Sequence, residues 1–391
     1  MTGGGRRLRV GVNLLWLVPG VVGGSEEYTT RLLRGLAEDP PEDLHLTLFA
    51  LAPFAAAHPD LVAAYPAVTT SLDGASRGRR VAAEATWLAR EAGRRNIDLL
   101  HHAGGVVPPG PAIGRFRSVV TIHDLQPLVM PENFSPVKRR WLARMLPRSA
   151  AAAAMVLTPS DPASDQVVAR LGVPRSRVRT VPHGIEPPPE VGADEVALVR
   201  ERYRLGDQVV LYPAITYPHK DHVTLVEAFA RLAPTRPGLT LVLAGGAGPS
   251  EAEVAAAIRA SGVGDQVRRT GRIPWADLHA LYATSTVVAV PSRFEGFGAP
   301  ALEAMAAAVP VVVADATALP WVVGDAGLRV PPGDVGRWAD ALARVVDDPA
   351  VHDTLVAAGL ARAAEFTWDR AAAALAAGYR AAGAVGETAP A

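Results

Sequence analysis

The chain has 391 residues, which is more than one hydrophobic core comfortably organises, and this length predicts two domains. Its 39 basic residues balance 39 acidic residues, so no overall field attracts nucleic acid and we expect no nucleic-acid partner. The sequence contains no cysteine, which excludes disulfides, thiolate metal sites and a cysteine nucleophile.

The first predicted element is a buried strand from Leu8 to Leu15. Arginines precede this apolar run, as in a signal peptide, but Asn13 interrupts it and no small-residue cleavage site follows. No stretch of the sequence reaches the ~18 uninterrupted apolar residues that a membrane span needs. We therefore expect a soluble, cytoplasmic protein, peripheral at the inner face of a membrane if it meets one at all.

Short apolar runs then alternate with longer, alanine- and leucine-rich helical patterns. The predicted strands of the first half are RVGVNLL, LTLFAL, DLLHH, SVVTIHD and MVLTPS; those of the second half are VVLYPA, LTLVLAG, VRRTGR, VVAVPS and PVVVAD. Continuous apolar runs are typical of strands buried on both faces of a parallel sheet. The alternation predicts an α/β protein with two doubly wound, Rossmann-like domains that face each other across a cleft.

The domain boundaries follow from composition. The proline-rich stretch Pro182–Glu195 lacks periodicity and is interpreted as the linker. We expect an N-terminal domain over 1–185, a C-terminal domain over 186–365, and a final helix in 366–391 that ends in a frayed tail.

The most informative strand end is PSRFEGFGAPALEAM, which follows the strand VVAV. Glu295-Gly296-Phe297-Gly298 forms the predicted turn, and a helix begins near Ala299 with Pro300 in its first turn. Free N–H groups at such a helix start, reached closely because of the glycines, favour phosphate. Glu303, one turn inside, suits the vicinal diol of a ribose, and Glu295 suits the hydroxyls of a second sugar. The alternative is that these glutamates only favour the helix dipole.

Two other strand ends in the second half carry candidate ligands of a phosphate. Lys220 follows VVLYPA and can neutralise a diphosphate, or it is a solvated loop lysine. The run Gly245–Gly248, which contains Gly246, fits either a close approach to a nucleotide or a tight turn, since it lacks a full dinucleotide fingerprint. His219 and His222 have no third ligand at a suitable spacing, so we expect no metal.

The first half offers a similar set. Gly23 and Gly24 precede a helix and form an anion cradle or a flexible connection. His123 ends the strand SVVTIHD, where it contacts a sugar or serves only the structure. His101 and His102 in DLLHH pose the same alternative more weakly.

The motifs EGFGAPALEAM, PHKDH, LAGGAG, TPSDPASDQV and VPHGI, with the N-terminal glycine pair, resemble those of the family 4 retaining glycosyltransferases. The resemblance covers nearly the full length, in order. It implies the GT-B fold, with an acceptor-binding N-terminal domain, a C-terminal domain that binds a nucleotide-diphosphate sugar, and a last helix around Trp368 that crosses back to the N-terminal domain.

The resemblance also implies roles for single residues. Glu303 would hold the donor ribose, Glu295 the hydroxyls of the transferred sugar, and Lys220 the diphosphate. Backbone groups of the turn would face sugar and phosphate, Ile273 would lie against the base, Gly24 would close on phosphate, and His123 would approach the reacting sugar. The candidate site therefore comprises Gly23, Gly24, His123, Lys220, Gly246, Ile273, Glu295, Gly296, Phe297, Gly298, Ala299 and Glu303.

One departure from the family pattern concerns charge. Many relatives carry an arginine six residues before the lysine, where this chain has Ala214, so His219 or the glycine turns must supply the missing stabilisation. The loop is similar to that of mannosyltransferase-like members, which favours GDP-mannose as donor. We expect no cofactor beyond this donor substrate, and transfer with retention of configuration, without a metal, to a saccharide or lipid-linked acceptor.

Three rival functions stay open at this point. A nucleotide-sugar epimerase or a noncatalytic nucleotide-sugar-binding subunit would use the same fold, and a glycosidase would use Glu295 and Glu303 as its carboxylate pair.

The basic stretches Ser76–Arg95 and Pro136–Ser149 would contact an anionic membrane weakly, or they are solvated helix faces.

Overall fold

The computed structural model describes residues 7–21 and 23–384, and they form two compact units. The first unit runs to Gly184 and resumes at Thr367; the second comprises Ile185–Phe366. In the described part of the chain, none of the helices is both long enough and apolar enough to cross a membrane.

The first unit is built on a parallel sheet whose strands and helices alternate along the chain. Its elements are β1 (Leu8–Leu14), α1 (Gly24–Glu38), β2 (Leu44–Leu51), α2 (Ala52–Ala57), α3 (Pro59–Ala64), β3 (Ala67–Thr70), α4 (Arg77–Ala85), α5 (Trp87–Arg94), β4 (Leu99–His102), β5 (Arg117–Thr121), α6 (Gln126–Val129), α7 (Pro136–Ala152), β6 (Met155–Thr158), α8 (Asp161–Leu171) and β7 (Val178–Thr180). The seven strands are ordered β3-β2-β1-β4-β5-β6-β7, all parallel.

The second unit repeats the plan with six parallel strands. Its elements are α9 (Ala193–Arg202), β8 (Gln208–Tyr212), α10 (His222–Leu232), β9 (Leu239–Ala244), α11 (Glu251–Ser261), β10 (Val267–Gly271), α12 (Trp275–Thr284), β11 (Val287–Val290), α13 (Ala299–Ala306), β12 (Val311–Ala314), α14 (Leu319–Val323), β13 (Leu328–Val330), α15 (Val335–Asp347) and α16 (Pro349–Ala363). The strand order is β10-β9-β8-β11-β12-β13.

Both sheets therefore have the doubly wound order predicted from the alternating pattern, with the reversal of strand order between β1 and β4 in one and between β8 and β11 in the other. The inner strands are buried along nearly their whole length, as the continuous apolar runs indicate. Ligands of such sheets bind outside the carboxyl ends of the strands, next to the reversal.

The last helix, α17 (Trp368–Ala384), packs in the first unit. Its Tyr379 is fully buried, and the phenol oxygen lies 2.8 Å from Nδ1 of His101, whose Nε2 lies 2.7 Å from the hydroxyl of Thr121. This polar chain joins α17 to β4 and β5. His101 is thus a structural residue inside the sheet.

Buried histidines make the first unit sensitive to acid. Burial lowers the pKa of His101, His102 and His183 from 6.5 to about 3. The folded pKa lies below the unfolded one, so the unfolded chain binds more protons, and stability present above pH 6.5 is lost as the pH falls toward 3. Each histidine contributes roughly 1.4 kcal/mol per pH unit within that window.

We therefore expect the free energy of unfolding, measured in urea, to be lower at pH 5 than at pH 7.5 by about 2 kcal/mol for each of these histidines. His101→Gln, which does not titrate, should have a shallower pH dependence than the wild type. Equal stability of the wild type at both pH values would contradict the burial of these imidazoles in their neutral form.

Candidate functional site

The candidate residues of the second unit lie where β8 and β11 end. These strands are parallel neighbours, so the loops that follow them leave the same edge of the sheet side by side. Lys220 ends a short 3₁₀ turn, Pro218–Lys220, in the loop after β8. Glu295 lies in the loop after β11, ahead of α13. Two segments 75 residues apart in sequence thus meet at one point.

A buried ion pair joins these two loops. Nζ of Lys220 lies 2.6 Å from Oε1 of Glu295, and the two side chains are only 18% and 12% exposed. Burial by itself would raise the pKa of Glu295, but the ammonium of Lys220 and hydrogen bonds from Lys220 and Ser292 outweigh it, and the pKa falls below its ordinary value. Glu295 is therefore charged at neutral pH, and the ammonium of Lys220 compensates its charge.

Three further contacts fix the loop that carries Lys220. Asp221 adopts a left-handed backbone conformation, with φ of 52°, and its carboxylate accepts two bonds from the guanidinium of Arg293, of 2.8 and 3.2 Å. The backbone N–H of Arg293 donates to the carbonyl of His219. The Tyr212 hydroxyl donates to the carbonyl of Lys220. The ammonium is therefore held in place before any ligand arrives.

The glycine turn after Glu295 depends on a backbone that only glycine readily adopts. Gly298 has a φ of 103°, and an added Cβ would lie 2.6 Å from Cδ2 of Leu319. The N–H of Glu295 donates to the hydroxyl of Thr317 in the loop after β12. Helix α13 then begins at Ala299, as predicted, with proline in its first turn. Its free N–H groups lie beside the turn, which is a favourable place for an anion.

The turn residue Phe297 serves the core with its side chain. It is 4% exposed, and its ring packs at 6.2 Å from that of Trp321 and 5.8 Å from that of Phe366. This packing anchors the turn, so a ligand at the turn would contact backbone.

Glu303 lies one turn into α13, and a tyrosine from α12 holds its carboxylate. The hydroxyl of Tyr282 donates to Oε2 of Glu303 at 2.8 Å, and Tyr282 is 2% exposed. Burial, followed by the charge of Glu303, raises the pKa of Tyr282 well above its usual value, so the phenol keeps its proton and remains a donor. The orientation of Glu303 is therefore fixed from a different helix.

The glycine-rich loop after β9 packs tightly against the loop after β8. A Cβ on Gly245 would lie 2.0 Å from the carbonyl oxygen of Ala214, so close approach of two backbones requires this glycine. The Thr216 hydroxyl accepts from the N–H of Gly248 and donates to Glu251. Gly246 lies in this loop and Ile273 lies in the loop after β10, so both follow the carboxyl ends of strands of this sheet.

The two histidines near Lys220, His219 in its loop and His222 at the start of α10, are neutral at pH 7. Burial first, then the charge of Lys220, lowers the pKa of His219 to about 4, and burial lowers that of His222 to about 4 as well. His219 therefore carries no charge at pH 7, and the glycine turns are the other expected source of the stabilisation that Ala214 leaves missing. Across residues 7–21 and 23–384, no group of three His, Cys, Asp or Glu side chains is arranged to hold a metal ion.

In the first unit, Gly23 and Gly24 open the 15-residue helix α1 after β1. Gly23 has a φ of 71°, and neither glycine has other atoms within 4 Å of an added Cβ, so both are accessible. The first turn also contains Glu26 and Glu27, whose charges oppose an anion there. Glu26 is engaged elsewhere, since its carboxylate accepts from Gly20 and lies 3.2 Å from His58.

His123 lies two residues beyond the end of β5. Its Nε2 is 3.0 Å from the carbonyl oxygen of Ala103, which can only accept, so Nε2 carries the proton and Nδ1 is the acceptor nitrogen. Burial lowers its pKa, and the bond to Ala103 only partly offsets this. The ring packs edge-on against Tyr28 at 5.5 Å. A neutral imidazole in this position can bind hydroxyl groups.

Several residues that shape the site escaped the sequence analysis. Tyr212, Tyr282 and Thr317 act through contacts between segments that are distant in sequence, and Asp221 acts through its backbone conformation. Asp221 lies inside PHKDH and Ser292 inside PSRFEGFGAPALEAM, two motifs that were singled out, but neither residue was given a role.

Two family descriptions match the chain, one in each unit. The family "Glycosyltransferase Family 4" matches residues 22–187, and "Glycosyl transferases group 1" matches residues 199–362.

Relatives from other organisms are 30–34% identical to this chain over the aligned residues. The O-antigen chain mannosyltransferase B of Escherichia coli is 31% identical over 257 residues, which are 65% of this chain and 67% of the relative. A GDP-mannose-dependent alpha-(1-6)-phosphatidylinositol monomannoside mannosyltransferase of Mycobacterium tuberculosis is 30% identical over 74% of this chain and 84% of the relative. The D-inositol 3-phosphate glycosyltransferase of Acidothermus cellulolyticus is 34% identical, but the chain spans only about half of its length, 51%.

Solved structures show the same architecture. A glycosyltransferase from Rickettsia africae superposes with a TM-score of 0.72 at 13% identity, covering 96% of this chain and 98% of that one. The Anabaena protein HepE, crystallised with UDP and glucose, has a TM-score of 0.72 at 21% identity, covering 95% and 99%. At these identities the likeness concerns the fold.

Proposed function

The chain belongs to the family 4, group 1 glycosyltransferases and has their GT-B fold, and from that premise we propose that it moves a hexose from a nucleotide-diphosphate sugar to a saccharide or lipid-linked acceptor with retention of configuration. GDP-mannose is the favoured donor. Such a reaction belongs to the synthesis of polysaccharides and glycoconjugates.

The Lys220–Glu295 pair beside the start of α13 carries this proposal. A diphosphate needs positive charge and N–H donors, and a transferred sugar needs an acceptor for its hydroxyls. Lys220 and the helix start supply the first, and Glu295 supplies the second. Because the two side chains are buried and preorganised, little free energy is spent on ordering them when the donor binds.

The reaction that we propose builds negative charge on the leaving diphosphate as the bond from the sugar breaks. Lys220 would stabilise that charge without a metal ion. The acceptor oxygen would attack the anomeric carbon from the face that the diphosphate leaves, and its proton would pass to a phosphate oxygen of the leaving group. Glu295 would bind hydroxyls throughout, since its ion pair with Lys220 keeps it ionised.

The choice of GDP-mannose rests on the relatives, two of which are named as mannosyltransferases and one of those as GDP-mannose-dependent. The UDP in the HepE crystal keeps uridine nucleotides in the comparison. A thermal-shift screen with GDP-, UDP- and TDP-sugars should give its largest stabilisation with GDP-mannose. A larger shift with a UDP- or TDP-sugar would change the donor but leave the reaction class intact.

The reaction class needs a separate measurement. Incubation with the selected donor should release free nucleoside diphosphate, and release should rise when a saccharide acceptor is added. An epimerase would convert the donor into another sugar nucleotide without release, and a noncatalytic binding subunit would leave the donor unchanged. Either outcome would refute the proposal.

A smaller effect is expected from the residue that orients Glu303. Tyr282→Phe removes the hydroxyl that donates to Oε2 and should weaken nucleoside diphosphate binding roughly tenfold, because Glu303 loses a fixed orientation toward the ribose. Calorimetric titration with GDP and with its 2′- and 3′-deoxy forms checks this.

One of the two deoxy forms of GDP lacks the ribose hydroxyl that Glu303 binds. Tyr282→Phe should not weaken the binding of that form further, because the substitution and the missing hydroxyl remove the same interaction. Tyr203→Phe is the matched control, because it removes a phenol that donates to Asp277 in the same unit. An equal loss with all three ligands would show that Tyr282 supports only the fold.

A further inference from the structure

A cluster of three half-buried side chains in the first unit has no role in the account above. Trp16 follows β1, while Arg80 and Glu84 lie on α4. We propose that Trp16, Arg80 and Glu84 form a binding subsite for a neutral polyhydroxylated ring, a saccharide or cyclitol, that serves as the acceptor. This rests on the proposed function, because it names the chemistry of the second substrate of that reaction.

Two hydrogen bonds hold the cluster together. Nη1 of Arg80 donates to the carbonyl oxygen of Trp16 at 2.8 Å, and Nδ2 of Asn13 donates to Oε1 of Glu84 at 3.0 Å. Arg80 and Glu84 are four residues apart, so both lie on the same face of α4. Helix α4 is therefore attached to the end of β1 through the three proposed ligand-binding residues and Asn13.

The cluster contains hydrogen-bond donors that no protein atom satisfies. Nε1 of Trp16 and Nε of Arg80 are buried and have no partner. Buried N–H groups without an acceptor are rare and costly, so an acceptor atom is expected there in the working state. The bond from Asn13 occupies one carboxylate oxygen of Glu84. Unsatisfied donors and a carboxyl group thus lie together where α4 is attached to the end of β1.

This combination complements the hydroxyl groups of a sugar ring. Each hydroxyl both donates and accepts, so it can bind the carboxylate on one side and a guanidinium or indole N–H on the other. The indole also offers apolar surface to the carbon-bound hydrogens of the ring. Ligand sites commonly combine such an aromatic surface with a few fixed polar groups.

The charges favour a neutral ring over a phosphorylated one. Above pH 7, where Glu84 is ionised, its negative charge cancels the positive charge of Arg80 within the cluster. A phosphoryl group would add about two negative charges beside the carboxylate. Burial raises the pKa of Glu84 to about 7, against the opposing effects of Asn13 and Arg80, and a phosphoryl dianion beside this carboxyl would oppose its ionisation further.

The cluster lies beside His123. The rings of Trp16 and His123 are 6.4 Å apart, centroid to centroid. A Cβ on Gly104 would lie 2.5 Å from Cγ of Trp16, so this glycine lets the loop after β4 lie flat against the indole and fixes its orientation. A ring bound at Trp16 would therefore lie next to the imidazole that binds hydroxyl groups.

Saturation-transfer NMR with methyl α-D-mannopyranoside and myo-inositol as probes tests the subsite. The wild type should bind at least one of them, and more tightly than mannose 6-phosphate or inositol 1-phosphate. Glu84→Gln and Arg80→Gln should each raise the dissociation constant about tenfold or more. Arg79→Gln is the matched control, since it removes an exposed charge from the neighbouring position of α4 and should change nothing.

The milder variant Trp16→Phe, which keeps an aromatic ring but removes the N–H, covers the case in which the charge variants unfold. Nucleoside diphosphate binding, measured on the same samples by thermal shift, should be unchanged in all variants; its absence in the wild type would count against the proposed function instead. The subsite is overturned if neither neutral probe binds, if the phosphorylated probes bind more tightly, or if Glu84→Gln and Trp16→Phe bind like the wild type.

Discussion

Lys220→Ala should lower kcat by roughly 10²–10³-fold while changing the donor dissociation constant much less. Negative charge on the diphosphate grows as the glycosidic bond breaks, so the ammonium matters more in the transition state than in the bound ground state. The loss should be severe because Ala214 offers no second cation and His219 is neutral at pH 7. Steady-state kinetics and calorimetric donor titration separate the two effects.

The chain's other lysine, Lys138, lies on α7 in the first unit, and Lys138→Ala serves as the control. Lys220→Ala also leaves the carboxylate of Glu295 buried without its partner, which should lower the melting temperature. The double variant Lys220→Ala with Glu295→Gln should recover stability but not turnover. Near-normal turnover of Lys220→Ala would place the essential cation elsewhere, and Arg293 would be tested next.

Glu303→Ala should mainly weaken donor binding. A ribose is held alike in ground and transition states, so losing a charged hydrogen-bonding group should cost about 1.5–3 kcal/mol of binding with little change in kcat at saturating donor. Tyr282 also loses its acceptor and remains as a buried phenol, which should in addition lower the melting temperature.

Glu227→Ala, an exposed glutamate on α10 of the same unit, controls for the loss of one negative charge. Titration with the nucleoside diphosphate alone is sufficient, because the ribose belongs to that part of the donor. An unchanged dissociation constant in Glu303→Ala would remove the ribose from the role proposed for this carboxylate.

The inner strands of both sheets could be predicted from the sequence because burial on both faces leaves a continuous apolar run. The strands β3, β7 and β13 could not be predicted in this way. Each of these is an edge strand of three or four residues, and an exposed edge imposes no such run. The alternation of strands and helices nevertheless predicted the doubly wound order.

The same division applies to the candidate site. Glu295, Gly298 and Glu303 could be singled out because turn, helix start and helical spacing are local properties of one segment. The ion pair between Lys220 and Glu295 joins segments that only the fold brings together, and no local pattern predicts it. Burial likewise decides the charge of a histidine, so the sequence could not distinguish His219 from the glycine turns as the source of the missing stabilisation.

The central claim is glycosyl transfer with retention, driven by Lys220 and the helix start without a divalent ion. Proton NMR of the anomeric coupling in the product, formed from the selected donor and acceptor in excess EDTA, tests it most directly. The account predicts that product forms at an undiminished rate and keeps the α configuration of the donor. A product of inverted configuration would contradict retention, and a reaction that stops in EDTA and resumes with Mg²⁺ would contradict the role given to Lys220.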